Sequence, residues 1–197
     1  PFMNSPIEDD SLFSRKALPP AIMVFFAHII WGTLTAFFPL YALSQGVKNP
    51  GFFFAAYAIV LILGRGLGGK ILDLYDREKV ILPCLTTYII SMMILAFSKT
   101  LPMFILVAVI WGMGNSFLIP LLVAETIDRA GSSRGPAMGT FTAFGDLGVG
   151  TGPVVMGIVL RLTNYPVMFT GLAITSLINL IYFYFFVRKR KAVDKDL

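Results

Sequence analysis

The stretch PAIMVFFAHIIWGTLTAFFPLYAL, from Pro20 to Leu43, runs for 24 residues without an Asp, Glu, Lys or Arg. About 20 apolar residues in a helix cross a hydrocarbon core of about 30 Å. Lipid offers no partner to backbone N–H and C=O groups, so a segment of this kind must satisfy them internally, as a helix does. Working outward, five more segments read the same way. They cover about Gly51 to Leu74 (interrupted by Arg65 and Lys70), Val80 to Phe97, Leu101 to Ala124, Gly135 to Leu160 and Tyr165 to Val187. The connections are short and carry turn residues at Lys48-Asn49-Pro50-Gly51, Thr100-Leu101-Pro102 and Thr163-Asn164-Tyr165-Pro166. Short connections predict antiparallel neighbours in one bundle. The chain therefore reads as an all-α membrane protein with six transmembrane helices.

Composition agrees with lipid as the solvent. The sequence is 56% apolar and 14% charged, with a mean hydropathy of +0.78, against roughly 45–50% and 25% in soluble domains. A single cysteine, Cys84, excludes a disulfide within the chain and a cysteine-built metal site, and reads as a packing residue. The polar leader to about Pro20 lacks the pattern of a signal or transit peptide and is expected to be a linker or tail preceding the membrane region. Lys and Arg collect in alternate connections. Twelve lie in the leader, the second-to-third and fourth-to-fifth connections and the tail, three lie in the opposite loops (Lys48, Lys99, Arg161), and Arg65 lies within a span. Positive charge marks the cytoplasmic side, so both termini are expected there. The net charge of +5 belongs to this rule and points to anionic headgroups rather than nucleic acid.

The first and fourth spans share a pattern. Ile30-Trp31-Gly32 followed by Phe37 and Pro39-Leu40 matches Ile110-Trp111-Gly112 followed by Phe117 and Pro120-Leu121. At nearly the same shift of about 80 residues, Gly64-Arg65 falls opposite Gly145-Asp146, and Gly69 opposite Gly150. Two related units of three helices each must be inverted relative to one another, because three is odd. Inverted repeats with Pro- or Gly-interrupted helices in corresponding places point to a secondary transporter with a midplane site.

These residues resemble the C-terminal half of a major facilitator superfamily transporter, most similar to its small-molecule efflux, drug/proton antiporter-like branch. Gly69, Asp73 and Arg77 match the family's cytoplasmic Gly-x-x-x-Asp-x-x-x-Arg signature, with Leu74, Asp76 and Glu78 where the family usually carries a basic residue, a glycine and another basic residue. Gly148-x-x-x-Gly152-Pro153-x-x-x-Gly157 is similar to the family's Gly/Pro-rich helix, with Met156 at a usual glycine. The resemblance covers about Pro20 to Lys191. It implies half of a twelve-helix transporter fold and a second six-helix half, fused or associated. It also implies a coupling proton and a small organic substrate as partners, no cofactor, and a multi-pass protein of the cell (inner) membrane. The expected organisation is a cytoplasmic linker over 1–19, three-helix repeats over 20–98 and 99–187, and a basic tail over 188–197.

Candidate site residues follow from polar groups at costly positions. Arg65 sits about a third of the way into the membrane, where a charge costs about 2.5–3.5 kcal/mol. It reads either as a counter-ion for an anionic substrate or a switching carboxylate, or as a fixed ion pair or snorkelling side chain. Asp146 lies mid-span, where desolvation penalises its charge and suits it to carry a proton; a static hydrogen-bonded carboxylate is the alternative, and a mutual pair with Arg65 a third. His28, Trp31, Thr35 and Pro39 share a helical stripe, matched by Trp111, Asn115 and Leu118. By resemblance these spans line the central cavity, so His28, Trp31, Thr35, Trp111 and Asn115 would form its wall; packing tryptophans, an interhelical histidine and a bridging Asn115 are the alternatives. Gly64 and Gly68, and again Gly148 and Gly152, stand four apart and permit close helix approach, with Pro153 and Gly157 in the same motif. Glu125, Asp128, Arg129 and Arg134 cluster near Gly69, Asp73 and Arg77, forming either a solvated loop or a cytoplasmic gating network.

Other classes fit less well. Tyr75-Asp76 and Ala143-Phe144-Gly145-Asp146 only faintly resemble the paired carboxylates of intramembrane aspartyl proteases. The sequence contains no zinc-protease, nucleophile-elbow or phosphate-binding Walker pattern, so transport energy is expected to come from an ion gradient. A channel should present polar rings or filters, which this pattern of isolated charges does not supply.

Overall fold

A computed structural model describes residues 13–74 and 77–188, with side chains described over 13–66 and 77–187. A short 3-10 turn, Arg15–Ala17, leads into α1 (Leu18–Ser44), followed by α2 (Gly51–Leu74), α3 (Arg77–Phe97), α4 (Leu101–Ala130), α5 (Arg134–Leu162) and α6 (Tyr165–Tyr182). A π-helical turn, Phe183–Arg188, continues α6. The first five expected spans each lie inside one helix, and the sixth is shared by α6 and the π-helical turn that continues it. The helices run past the apolar stretches, α4 as far as Ala130 and α3 from as early as Arg77, because hydropathy measures hydrocarbon thickness while hydrogen bonding carries the helix into the headgroup region. Among the described residues five helices are long and apolar enough to cross a bilayer, and α2 contributes the shorter apolar stretch Gly51–Gly66.

Local chemistry sets the ends. Gly46, at φ +81°, closes α1: its N–H donates to the Leu43 carbonyl at 2.9 Å and the Val47 N–H reaches back to Ala42 at 3.0 Å, a left-handed stop that favours glycine. At the start of α6 the Asn164 Oδ1 accepts from the Val167 N–H at 3.0 Å, with Pro166 in the first turn. Pro39, Pro83, Pro120 and Pro153 lie within helices, a placement that neighbouring helices make tolerable in membranes.

The packing is interlocked rather than sequential. α1 packs chiefly on α5, α4 on α2 and α3, and α3 on α6, with α1 and α4 meeting at the centre. Exchanging α1 with α4, α2 with α5 and α3 with α6 turns the α1–α5 contact into α4–α2, whereas the close α3–α4 contact has only the smaller α1–α6 contact as its counterpart. The core contains Phe38, Phe53, Tyr88, Phe104, Trp111 and Phe169, all essentially buried. Ile62, Val154 and Leu162 are 71%, 64% and 77% exposed, apolar surface that suits lipid or another apolar bundle.

Candidate functional site

The centre of the bundle is an aromatic stack. Trp111 of α4 lies face to face with Tyr57 of α2 at 4.4 Å between ring centroids, and with Trp31 of α1 at 5.7 Å. Trp31 and Tyr57 are 5.4 Å apart. These offset contacts are favourable ring geometries, and they bind three helices at one level. Trp111 is 0% exposed while Trp31 is only partly buried. The close α2–α4 approach encloses Trp111, while Trp31 keeps part of its indole open.

Asn115 bridges helices at the same level. Its Oδ1 accepts from the Tyr88 hydroxyl of α3 at 2.5 Å, and its Nδ2 donates to the Tyr57 hydroxyl of α2. Asn115 thus joins α2 and α3 from its place on α4. The Trp111 Nε1–H is buried with no hydrogen-bond partner among the described residues, and the Trp111 and Tyr88 rings meet edge to face at 6.2 Å between centroids.

Glycine brings the flanking helices close. A Cβ on Gly148 or Gly152 of α5 would meet the Phe25 or Ile29 carbonyl oxygen of α1, and one on Gly32 would meet the Val149 carbonyl oxygen. The ring of His28 fills the space left by Gly145, its Nδ1 only 2.7 Å from where a Cβ would stand, and that nitrogen has no hydrogen-bond partner among the described residues. Across the bundle, a Cβ on Gly64 of α2 would strike the Ser116 side chain of α4, and one on Gly112 would press Val60 at 3.1 Å. Gly157 faces the Phe37 ring at 3.2 Å, while Pro153 lies within α5. The surroundings of Gly68, Gly69 and Asp73 lie outside the described side chains.

The stripe on α1 does not form one wall. His28 turns to α5, Trp31 to α2 and α4, and Thr35 is exposed, its hydroxyl donating to the carbonyls of its own helix at Trp31 (3.0 Å) and Gly32 (2.9 Å). A helix turns about 100° per residue, so spacings of three and four cover an arc wide enough to touch several neighbours.

Arg65 and Asp146 are both exposed, with no hydrogen bond or ion pair among the described residues. They do not pair with each other, because α2 and α5 are not packed together. Arg65 stands about 14 Å along α2 from its Leu74 end, and Asp146 about 18 Å along α5 from Arg134. Two opposite charges thus stand well inside helices that cross the bilayer, on surfaces this six-helix unit leaves open.

The charged ends of α3 and α4 do come together. Arg77 forms an ion pair with Asp128 and approaches the Glu125 Oε2 at 4.0 Å, while the Arg129 Nε donates to the Glu125 Oε1 at 2.7 Å. Glu125 is 4% exposed, a buried carboxylate that needs such partners. Arg134 is exposed and joins no ion pair among the described residues. The 3-10 turn seals the same end: Ala17 packs with Ala130 and Ala137, and the Ser14 N–H donates to the Thr140 Oγ1 at 3.0 Å.

Tyr57 and Tyr88 carry the polar bridge, yet the sequence reading did not select them. A tyrosine hydroxyl deep in an apolar span needs a partner, and matching the spans' few polar groups to Asn115 would have found both.

Three comparisons bear on this arrangement. The family model described as Major Facilitator Superfamily matches residues 20–196. The chain is 26% identical over 163 residues to a staphylopine export protein of Staphylococcus aureus strain Mu50, covering 79% of this chain and 41% of that protein. It is 28% identical over 152 residues to an uncharacterized MFS-type transporter of Pseudomonas aeruginosa strain UCBPP-PA14, covering 76% and 38%. It thus spans about two fifths of the length of the relatives it matches.

Proposed function

Because the chain belongs to the Major Facilitator Superfamily, we propose that it is one six-helix half of a secondary transporter that exports a small organic molecule by proton-coupled alternating access. The observation that carries this reading is the two charges Arg65 and Asp146, which have no partner among the described residues and lie on the open surfaces of α2 and α5. A charge held inside a bilayer without a partner in its own bundle faces a water-filled pathway or a second protein surface, and a transporter's interface between halves supplies both. Asp146 is the proton carrier in this scheme. Protonated, it crosses the closed interface neutral; deprotonated, it faces water and draws the bundle back.

The packing supports a rigid unit that rocks as one body. Backbone contact at Gly32, Gly148 and Gly152 ties α1 to α5, the aromatic stack ties α2 to α4, and the Arg77–Asp128 and Glu125–Arg129 pairs fasten the ends of α3 and α4. Sliding then falls at the contact with the second half, with both termini on the cytoplasmic side. Export, rather than uptake, is supported by the named activity of the staphylococcal relative.

The test is compound-driven pH change inside proteoliposomes containing the full-length protein, comparing wild type with Asp146→Asn. The proposal expects proton movement that follows one compound and is lost in the variant, while binding of that compound persists. Undiminished proton-driven flux in Asp146→Asn would remove Asp146 from the mechanism. Compound flux without proton movement in wild type would replace proton coupling with another ion or facilitated diffusion. Folded protein that moves no compound would turn the reading to a channel or a structural subunit.

A further inference from the structure

His28 carries a buried nitrogen that nothing in the bundle answers. Its Nδ1 is enclosed with no hydrogen-bond partner among the described residues, 2.7 Å from where a Cβ on Gly145 would stand. In a glycine that direction is taken by a Cα hydrogen. A neutral imidazole has one N–H and one bare nitrogen. A bare Nδ1 meets the Gly145 C–H as a weak acceptor, whereas a hydrogen on Nδ1 would abut it as a buried donor without an acceptor. The hydrogen therefore sits on Nε2. The ring as a whole is only partly buried, which leaves Nε2 on its open edge.

That edge lies on the same side of the helix pair as Asp146. α1 and α5 run in the same direction, four crossings apart, and their contact strip sets Phe25, Ile29 and Gly32 against Gly148, Val149 and Gly152. At 3.6 residues per turn, Asp146 lies about 110° past the centre of the α5 strip in the direction the helix winds. His28 and Trp31 lie about 50° and 110° before the centre of the α1 strip. Between parallel helices, residues past the strip on one stand on the same flank as residues before it on the other. The level also matches: one bond and one Cα–Cα step of about 3.8 Å separate the Gly145 Cβ position from the Asp146 Cα, so the His28 Nδ1 is no more than about 8 Å from that Cα. A carboxylate side chain and one charge-assisted hydrogen bond of about 2.8 Å cover most of that span.

Other charges stand elsewhere. Among the described residues, Asp146 is the one titratable group on α5 within two turns of Gly145, and α6 carries only tyrosines near its ends. Those of α4, Glu125, Asp128 and Arg129, sit toward the cytoplasmic end in pairs with Arg77 and one another. Arg65 is on α2, which packs chiefly on α4.

We infer that His28 is a positioning residue for the proton step, its Nε2–H donating to the ionised Asp146 carboxylate when that side chain turns toward α1. The proton itself moves between an Asp146 oxygen and water. Binding it neutralises the acceptor and weakens the bond to His28; releasing it restores the bond, and His28 keeps its own hydrogen throughout. A hydrogen bond to the charged form favours that form, so removing the donor should delay proton release to higher pH. His28 bears on transport only through the proposed role of Asp146 as proton carrier, but its contact with Asp146 can be measured without transport.

Full-length protein in lipid nanodiscs provides the test. Nitrogen NMR of isotopically labelled histidine, with His28 assigned by the signal missing from His28→Gln, should show the Nε2–H tautomer, and Asp146→Asn should move that signal. Infrared difference spectra follow the carboxyl band that is absent from Asp146→Asn. His28→Phe should raise the pH at which this band half-titrates by about one unit. His28→Gln, which keeps an N–H near the Nε2 position, should return at least half of that shift. An Nδ1–H tautomer overturns the assignment, as does a midpoint that His28→Phe leaves unmoved. Equal rises in both variants would reduce His28 to packing. Where His28→Phe fails to fold, a wild-type nitrogen signal indifferent to Asp146→Asn decides against the contact. A His28-dependent carboxyl titration in protein that moves no protons would keep the contact and remove the proton-carrier reading. Compound-driven proton flux whose pH profile ignores His28→Phe would keep that reading and remove the contact.

Discussion

Adding one methyl group to α5 should have opposite effects two residues apart. At Gly152 an added Cβ would lie 2.9 Å from the Ile29 Cα and 3.0 Å from its carbonyl carbon, closer still to its oxygen. These are backbone atoms of a neighbouring helix, so the strain can be relieved only by moving α1 and α5 apart. At Gly150 an added Cβ meets nothing within 4 Å. Gly→Ala improves intrinsic helix preference by up to about 1 kcal/mol at both sites. That gain cancels in the comparison, leaving the overpacking cost of about 1–3 kcal/mol as the difference between Gly152→Ala and Gly150→Ala. For a chain of this size such a difference moves a thermal midpoint by about 2–12 °C. The midpoint should be followed on purified, detergent-solubilised full-length protein by loss of the monodisperse peak after heating. Gly150→Ala should match or exceed wild type, with Gly152→Ala below both. Equal midpoints for the two variants would refute the argument that backbone contact at Gly152 fastens α1 to α5.

The remaining predictions use other contacts. Arg129→Ala leaves the buried Glu125 without its 2.7 Å partner. With Arg77 at 4.0 Å as partial compensation, the loss should be about 2–3 kcal/mol, whereas Asp128→Ala, at a 59% exposed side chain, should cost no more than about 1 kcal/mol; denaturant unfolding of the two variants separates them. Tyr88→Phe removes one interhelical hydrogen bond and should cost about 0.5–1.5 kcal/mol, less than Asn115→Ala, which strips partners from two tyrosine hydroxyls; a thermal melt in which Tyr88→Phe is the more damaging would contradict the bridge. In a Cys84→Ala background, Ser132→Cys should react with an impermeant maleimide only from the cytoplasmic side and Gln45→Cys only from the opposite side, since both positions are exposed at opposite ends of the bundle. Labelling of both from one side would overturn the orientation read from the charges.

Hydropathy and turn residues alone fix the helices and their alternation. Long stretches free of charge leave a backbone no choice but to close its hydrogen bonds locally, so the six helices and their antiparallel order follow from hydropathy and short turns. Gly46 and Asn164 could be read as end signals because capping is local. The repeat of Trp31-Gly32 in Trp111-Gly112 pointed to two related units, and Glu125, Asp128, Arg129 and Arg77 could be grouped because they crowd one end of the chain's zigzag. Which helix faces meet is visible only once the bundle is assembled. In a soluble helix the apolar stripe marks the inside, but here both lipid and core are apolar, and the spans carry no such stripe to read. Association in lipid depends instead on close packing of small residues and a few hydrogen bonds. For that reason sequence alone could not tell that Trp111 is enclosed while Trp31 lies at a rim, that His28 rests on Gly145, or that Asn115 joins Tyr57 to Tyr88. It likewise could not separate Arg65 from Asp146: the matched repeat positions suggest a pair, and the interlocked packing of α1 on α5 and α2 on α4 holds them on helices that are not packed on one another.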